Sequence, residues 1–176
     1  MREEQHFSSS FWFFETPIEQ NDCIKWALKY EKDIPRDSSK SNVGGYQSLS
    51  SNDFSEIPFF EVIKNSLHEL PSFTFKNWWL NINRKGDYNR THTHPFADVA
   101  GVYYITDNHE ALTLINPLQH NRLWEDMVFN KPCHTKINAK PGDLILFPAD
   151  IPHFVDPHNS HNPRISLSFN ISFNFK

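Results

Sequence analysis

The sequence predicts a mainly β fold with helices confined to its N-terminal part, a β-sandwich or distorted barrel against which two helices pack. Three observations predict it. Apolar residues fall at helical spacing in two early stretches, as Ile24, Trp26, Ala27 and Tyr30 and as Phe60, Ile63 and Leu67. Past Pro71, short aromatic and β-branched runs follow one another between turn signals. Aromatic residues make up 15% of the chain, with 16 Phe and 5 Trp, which suits layers filled by large rings.

Taken in order, residues 11–14 (Phe-Trp-Phe-Phe) read as a strand and residues 20–32 as an amphipathic helix. Residues 38–56 are rich in Ser, Asn and Gly and read as a loop. A second helix runs from residue 57 to about residue 69. Residues 73–83 form a strand, Lys85-Gly86-Asp87 turns, and residues 88–94 return as the other arm of a hairpin. Residues 97–106 hold the buried-strand run Val99-Ala100-Gly101-Val102-Tyr103-Tyr104-Ile105. Strands at 111–115, 135–138, 144–147, 153–155 and 164–173 complete the set, with a tight turn at Pro141-Gly142-Asp143.

The 176 residues suit one domain, with 1–72 as a helical and loop support region and 73–176 as the β core. Net charge is −4 and the pI about 6.2, with Lys and Arg thinly spread, which disfavours a nucleic-acid partner. Cys23 and Cys133 lack a CxxC partner and read as reduced thiols. The run at 11–14 is too short for a membrane span or a signal-peptide core. A cytoplasmic protein with no membrane partner is expected, and its oligomeric state is left open, a homodimer included.

The chemistry begins at Thr91-His92-Thr93-His94-Pro95. On a strand, residues i and i+2 share a face, so His92 and His94 project together as half of a metal site. His153 is the candidate third ligand. Eleven residues later, Arg164-Ile165-Ser166 places a guanidinium and a hydroxyl on one face, a pair suited to a carboxylate. The bland alternative makes these surface histidines and a solvated arginine. His109, His120, His134, His158 and His161 sit in polar, turn-like contexts and read as solvated, with His158 and His161 on a loop over the site entrance. Trp78-Trp79 reads as core.

The ordered set Asn81-x-Asn83, Gly86-x-x-Asn89-x-x-His92-x-His94-Pro95, Gly101-Val102-Tyr103-Tyr104, Pro141-Gly142-Asp143-Leu144, Phe147-Pro148, His153 and Arg164-x-Ser166-x-x-Phe169-Asn170 resembles the small 2-oxoglutarate/Fe(II) oxygenases of bacteria and their phages. It is also similar to the aspartyl/asparaginyl β-hydroxylases. The resemblance covers roughly residues 73–173, and the Ser41-Asn42-Val43-Gly44-Gly45-Tyr46-Gln47-Ser48 stretch extends it. It implies a double-stranded β-helix (a jelly-roll, cupin-like barrel) and an Fe(II)- and 2-oxoglutarate-dependent oxygenase, a hydroxylase acting with O2 on a substrate the sequence does not reveal. It implies that Arg164 pairs with the far carboxylate of 2-oxoglutarate, that Ser166 shares it, that Asn81 is a small polar cofactor contact, and that Tyr103 faces the same cavity on the cofactor side.

One position departs from the family pattern, because His94 stands where the usual iron triad has a carboxylate. Three readings stay open. His94 ligates in a three-His site; it stands aside and leaves two His and waters; or Asp98 reaches in through a bulge. The three-His reading is preferred, since imidazole suits Fe(II). Two rival functions are carried beside the oxygenase. One is a cupin-like dioxygenase or isomerase with the same histidines and no 2-oxoglutarate, which Arg164-x-Ser166 argues against. The other is a non-catalytic β-sandwich binding module.

Overall fold

The computed structural model describes residues 9–108, 111–117 and 133–174. Two antiparallel sheets face each other as in a jelly roll. The larger has the order β1-β9-β6-β11-β4-β3 and the smaller β2-β5-β10-β7-β8. The strands are β1 (Trp12–Glu15), β2 (Asn42–Val43), β3 (Tyr46–Gln47), β4 (Phe73–Asn83), β5 (Tyr88–His92), β6 (Val99–Tyr104), β7 (Leu112–Ile115), β8 (His134–Ile137), β9 (Asp143–Pro148), β10 (His153–Val155) and β11 (Arg164–Phe173). The helices α1 (Gln20–Asp33) and α2 (Phe60–Ser66) both precede β4. The stretch expected to be a loop holds β2, β3 and a short 3-10 turn at Phe54–Glu56. Those two-residue strands are too short to leave a sequence period. No helix among the described residues is long and apolar enough to cross a membrane.

Alternation along the long strands explains how the large sheet serves two purposes. Trp78, Leu80 and Ile82 of β4, Ile165, Leu167, Phe169 and Ile171 of β11, and Leu144 and Leu146 of β9 pack into one core with Cys23 and Ala27 of α1 and Ile63 of α2. Trp26 and Tyr30 of α1 meet Trp78 at 6.1 and 5.4 Å between ring centroids. The opposite face carries Trp79, Asn81 and Asn83 from β4 and Arg164, Ser166 and Ser168 from β11, all lining a chamber toward the small sheet. A second apolar cluster, with Ala100, Tyr104, Ile145 and Phe147 from the large sheet and Leu112 and Leu114 from the small one, closes that chamber at one side. The helices therefore bury the outer face and leave the inner face to polar side chains.

Two glycines belong to the tight turns that the sequence marks. Gly86 and Gly142 take φ of 93° and 95°, a region that favours glycine. Gly101 serves packing instead. A Cβ there would strike the ring of Phe169 and lie 2.8 Å from Leu146 Cδ2, and both of these side chains are fully buried. Gly101→Ala is expected to cost about 1–3 kcal/mol by overpacking. Urea denaturation would read this as a lower midpoint at unchanged slope, and an unchanged midpoint would show that Phe169 has room to move.

Candidate metal centre

The small sheet supplies the nitrogens. β5 and β10 pair antiparallel with His92 directly opposite His153, and the two rings lie 4.3 Å apart between centroids. His94 sits just beyond the end of β5, where its backbone N–H donates to the Ala149 carbonyl at 2.8 Å. The expected return strand therefore stops two residues early. The turn around Pro95, and not the strand pleat, brings His94 beside its partners. One ligand nitrogen from each of His92, His94 and His153 lies within 4.8 Å of the others, and His94 Nε2 stands 3.1 Å from His153 Nε2.

Local backbone contacts set the tautomers. A carbonyl oxygen only accepts, so His92 Nδ1 donates to Arg90 O at 2.8 Å and His153 Nδ1 donates to Ile151 O at 2.9 Å. Each neutral ring then carries its lone pair on Nε2. Burial lowers the pKa of all three groups, that of His94 to about 4 and that of His153 to about 3, with charge repulsion from His92 adding to both. The rings are thus neutral at neutral pH and available as metal ligands. His94 is further held by Trp79, whose ring stacks on it at 5.3 Å and 18°.

The large sheet supplies the other half. In the β4–β11–β6 register Ser166 lies between Asn81 and Tyr104, and Arg164 lies opposite Asn83. Arg164 is only 5% exposed, and its guanidinium donates to the Asp156 carbonyl at 3.1 Å. Among the described residues no carboxylate pairs with it, and burial lowers its pKa to about 10. A buried cation without a counter-ion is costly. Asn81 adds a buried Oδ1 that lacks a partner, while its Nδ2 donates to Ser168 Oγ at 3.1 Å. A guanidinium, a hydroxyl and an amide oxygen thus line the chamber that also holds His92, His94 and His153. Three neutral imidazoles fit a divalent iron, and the unpaired guanidinium fits the carboxylate of an elongated keto acid.

Several sequence expectations need correction. Tyr103 does not face this chamber. It is fully buried in the helix-covered core, where its ring meets Phe59 at 5.6 Å and its hydroxyl accepts from Gln20 Nε2. The next residue, Tyr104, lines the chamber instead. Asp98 stays out of the histidine cluster, because its Oδ2 accepts from the Phe173 backbone N–H at 2.8 Å and so ties the end of β11. His158 is buried, with Nε2 2.6 Å from the Asn162 carbonyl. His134 and His161 are exposed as expected, and His109 and His120 lie outside the described residues. Trp78 is core, but Trp79 belongs to the site. Ser41 was missed within the loop. A chain of side-chain hydrogen bonds runs from Asn42 through Asn83 and Asn89 to Ser41 Oγ, which lies 3.5 Å from His92 Nε2.

Residues 77–170, more than half of the chain, match the model of the family described as "Putative 2OG-Fe(II) oxygenase". A comparison with curated protein sequences found no match. Among solved structures, the chain is similar in fold to the non-heme α-ketoglutarate-dependent epimerase SnoN from nogalamycin biosynthesis, with TM-score 0.69 and 11% identity over 94% of this chain and 78% of that one. It is similar to HygX from Streptomyces hygroscopicus, solved with nickel, 2-oxoglutarate and hygromycin B, with TM-score 0.66 and 9% identity over 95% and 84% of the two chains. A Pseudomonas putida prolyl-4-hydroxylase follows, with TM-score 0.58 and 11% identity over 96% and 95%. With the family match running from β4 into β11 and enclosing the three histidines and Arg164, the chain belongs to the 2OG-Fe(II) oxygenases, and its cofactors are Fe(II) and 2-oxoglutarate.

Proposed function

We propose that His92, His94 and His153 hold the iron through their Nε2 atoms, that Arg164, with Ser166 beside it, anchors the far carboxylate of 2-oxoglutarate while Asn81 lines the same wall, and that the enzyme is a hydroxylase. The observation that carries this is the desolvated, unpaired Arg164 guanidinium in the same chamber as three neutral imidazoles. When bound, Fe(II) and 2-oxoglutarate supply the oxidation of the substrate by O2, with 2-oxoglutarate leaving as succinate and CO2. The chain's own part is positional. The carbonyls of Arg90 and Ile151 hold two imidazoles in the ligating tautomer, and Trp79 holds the third. Tyr104 and Ser166 shape the wall beside Arg164 and keep water from its guanidinium. Within residues 9–72, α1 and α2 cover the outer face so that the inner face can remain polar, while β1, β2 and β3 join the two sheets.

The inner chamber is narrow, with a cavity volume near 50 Å³, and it meets a wider outer cleft of about 480 Å³ at His92, His94, Ser41 and Trp79. The inner side, which carries Arg164 and Ser166, is the side for the keto acid, and the wide side is left for the primary substrate. Oxygen insertion asks for no protein acid or base, so the hydroxylase reading is compatible with an outer cleft that no Asp or Glu lines among the described residues. Its check is the transfer of one atom from labelled O2 into the product; a product without that label would point to desaturation or epimerisation.

The cofactor assignment is tested by thermal unfolding with Mn(II) in place of iron and N-oxalylglycine in place of 2-oxoglutarate. Each ligand at 100 times its Kd adds about 2.7 kcal/mol to the folded state. The keto-acid analogue is expected to stabilise only when the metal is present. A rise with metal alone would favour the cupin-like reading, and no rise with either would leave the histidines without a role.

A further inference from the structure

The outer cleft has a charge pattern of its own. Its lining includes two cations, Lys40 and Arg90, and no carboxylate among the described residues, although the chain as a whole carries −4. Both cations are exposed, and neither side chain has an ion pair or hydrogen bond among the described residues. Asp37 is the carboxylate whose charge interacts with Lys40, and it is turned onto Ser39, accepting from the backbone N–H at 2.9 Å and from Oγ at 2.6 Å. A low-dielectric cleft lined by one sign of charge concentrates ligands of the other sign.

The deeper wall adds a second, independent requirement. Gln47 and Asn170 line the same cleft and are 5% and 9% exposed, and the side-chain oxygen of each is buried without a partner. Asn170 spends its Nδ2 on Asn77 Oδ1 at 2.9 Å, which leaves Oδ1 to be met from elsewhere. Buried amide oxygens without a donor are uncommon and ask for one.

Resting on the cofactor reading above, we infer that the primary substrate is a small polar molecule with an anionic group, held by Lys40 and Arg90 at the mouth of the outer cleft, and with N–H or O–H donors that meet Gln47 and Asn170 on its inner wall. A cleft of about 480 Å³ is the size of a small-molecule site. The anion is a carboxylate or a phosphate, since Lys and Arg serve both.

The test uses the full chain loaded with Mn(II) and N-oxalylglycine, so that neither the metal nor Arg164 is free to take the probe. Loading is confirmed first by thermal shift. Calorimetric titration then compares matched pairs that differ only in the anion, N-acetylglycine against N-acetylglycinamide and ribose 5-phosphate against ribose. At least one anionic member is expected to bind roughly tenfold tighter than its neutral partner, because exposed ion pairs are individually modest. The pair that responds identifies carboxylate or phosphate. The preference should vanish in the Lys40→Ala/Arg90→Ala double variant, whose loading shift stays that of the parent. Equal binding within both pairs, no binding of either anionic member at millimolar concentration, or a preference that survives the double variant would overturn the inference. A loading step that fails instead sinks the cofactor reading, and this inference with it.

Discussion

Replacing His153 with alanine is expected to abolish metal-dependent turnover of 2-oxoglutarate and to weaken metal binding by more than about 100-fold. Loss of a mere outer-sphere partner to a metal ligand typically costs 10–100-fold, and His153 is the most enclosed of the three imidazoles. It is 4% exposed, it is braced by the Ile151 carbonyl, and it lies against His92 on one side and Phe147 on the other. Two nitrogens would remain, and no other His, Cys, Asp or Glu among the described residues joins the cluster to replace the third. Asp98→Ala is the matching control. Asp98 holds the Phe173 N–H, so its loss should cost stability by about 1 kcal/mol and leave turnover at the parental rate. Calorimetric Mn(II) titration and succinate formation read both variants. Parental turnover in His153→Ala, or lost metal binding in Asp98→Ala, would exchange the roles assigned to these two residues.

Much of this arrangement is legible in the sequence where one face of a strand differs from the other. β4 reads Trp78-Trp79-Leu80-Asn81-Ile82-Asn83, and its apolar and polar members separate onto the helix-covered face and the chamber face. β11 does the same with Arg164, Ser166 and Ser168 against Ile165, Leu167 and Phe169. The predicted bounds of β4, β10 and β11 coincide with the observed ones. β6 has no such contrast, because both of its faces are buried in apolar surroundings. Parity cannot be assigned in a strand that is apolar on both sides, and Tyr103 was therefore chosen where Tyr104 stands. The three histidines were found for partly the wrong reason. Spacing of two on a strand describes neither His94, which lies past the strand end, nor the turn at Pro95 that places it. Ser41 and Asn42 lie in a stretch that extends the family resemblance, but their part in the site is not legible there, since a buried polar ladder built from a Ser- and Asn-rich stretch looks like a solvated loop until the neighbouring strands supply its partners.

Arg164→Met separates function from stability with opposite signs. In the proposed complex the guanidinium would face a carboxylate in a buried chamber, and truncating one partner of such a pair costs about 2–5 kcal/mol. That is a loss of roughly 30-fold or more in 2-oxoglutarate affinity. The proposed metal ligands lie on or just past the strands of the other sheet, so Mn(II) binding should stay at the parental level. In the empty protein the same side chain is a buried cation bonded to one backbone carbonyl, the Asp156 oxygen. A methionine of similar length removes the desolvation penalty and keeps most of the packing. The unfolding midpoint of the cofactor-free variant is therefore expected at or above that of the parent, while the stabilisation by N-oxalylglycine disappears. Arg164→Lys should fall between, since an ammonium keeps the charge and loses the two-pronged contact. A methionine variant that is less stable when empty yet still responds to N-oxalylglycine would make Arg164 a structural residue and move the carboxylate anchor elsewhere. The expected result would show a residue kept at a cost to the empty fold because the cosubstrate needs it, which is the signature of a binding group and not of a core one.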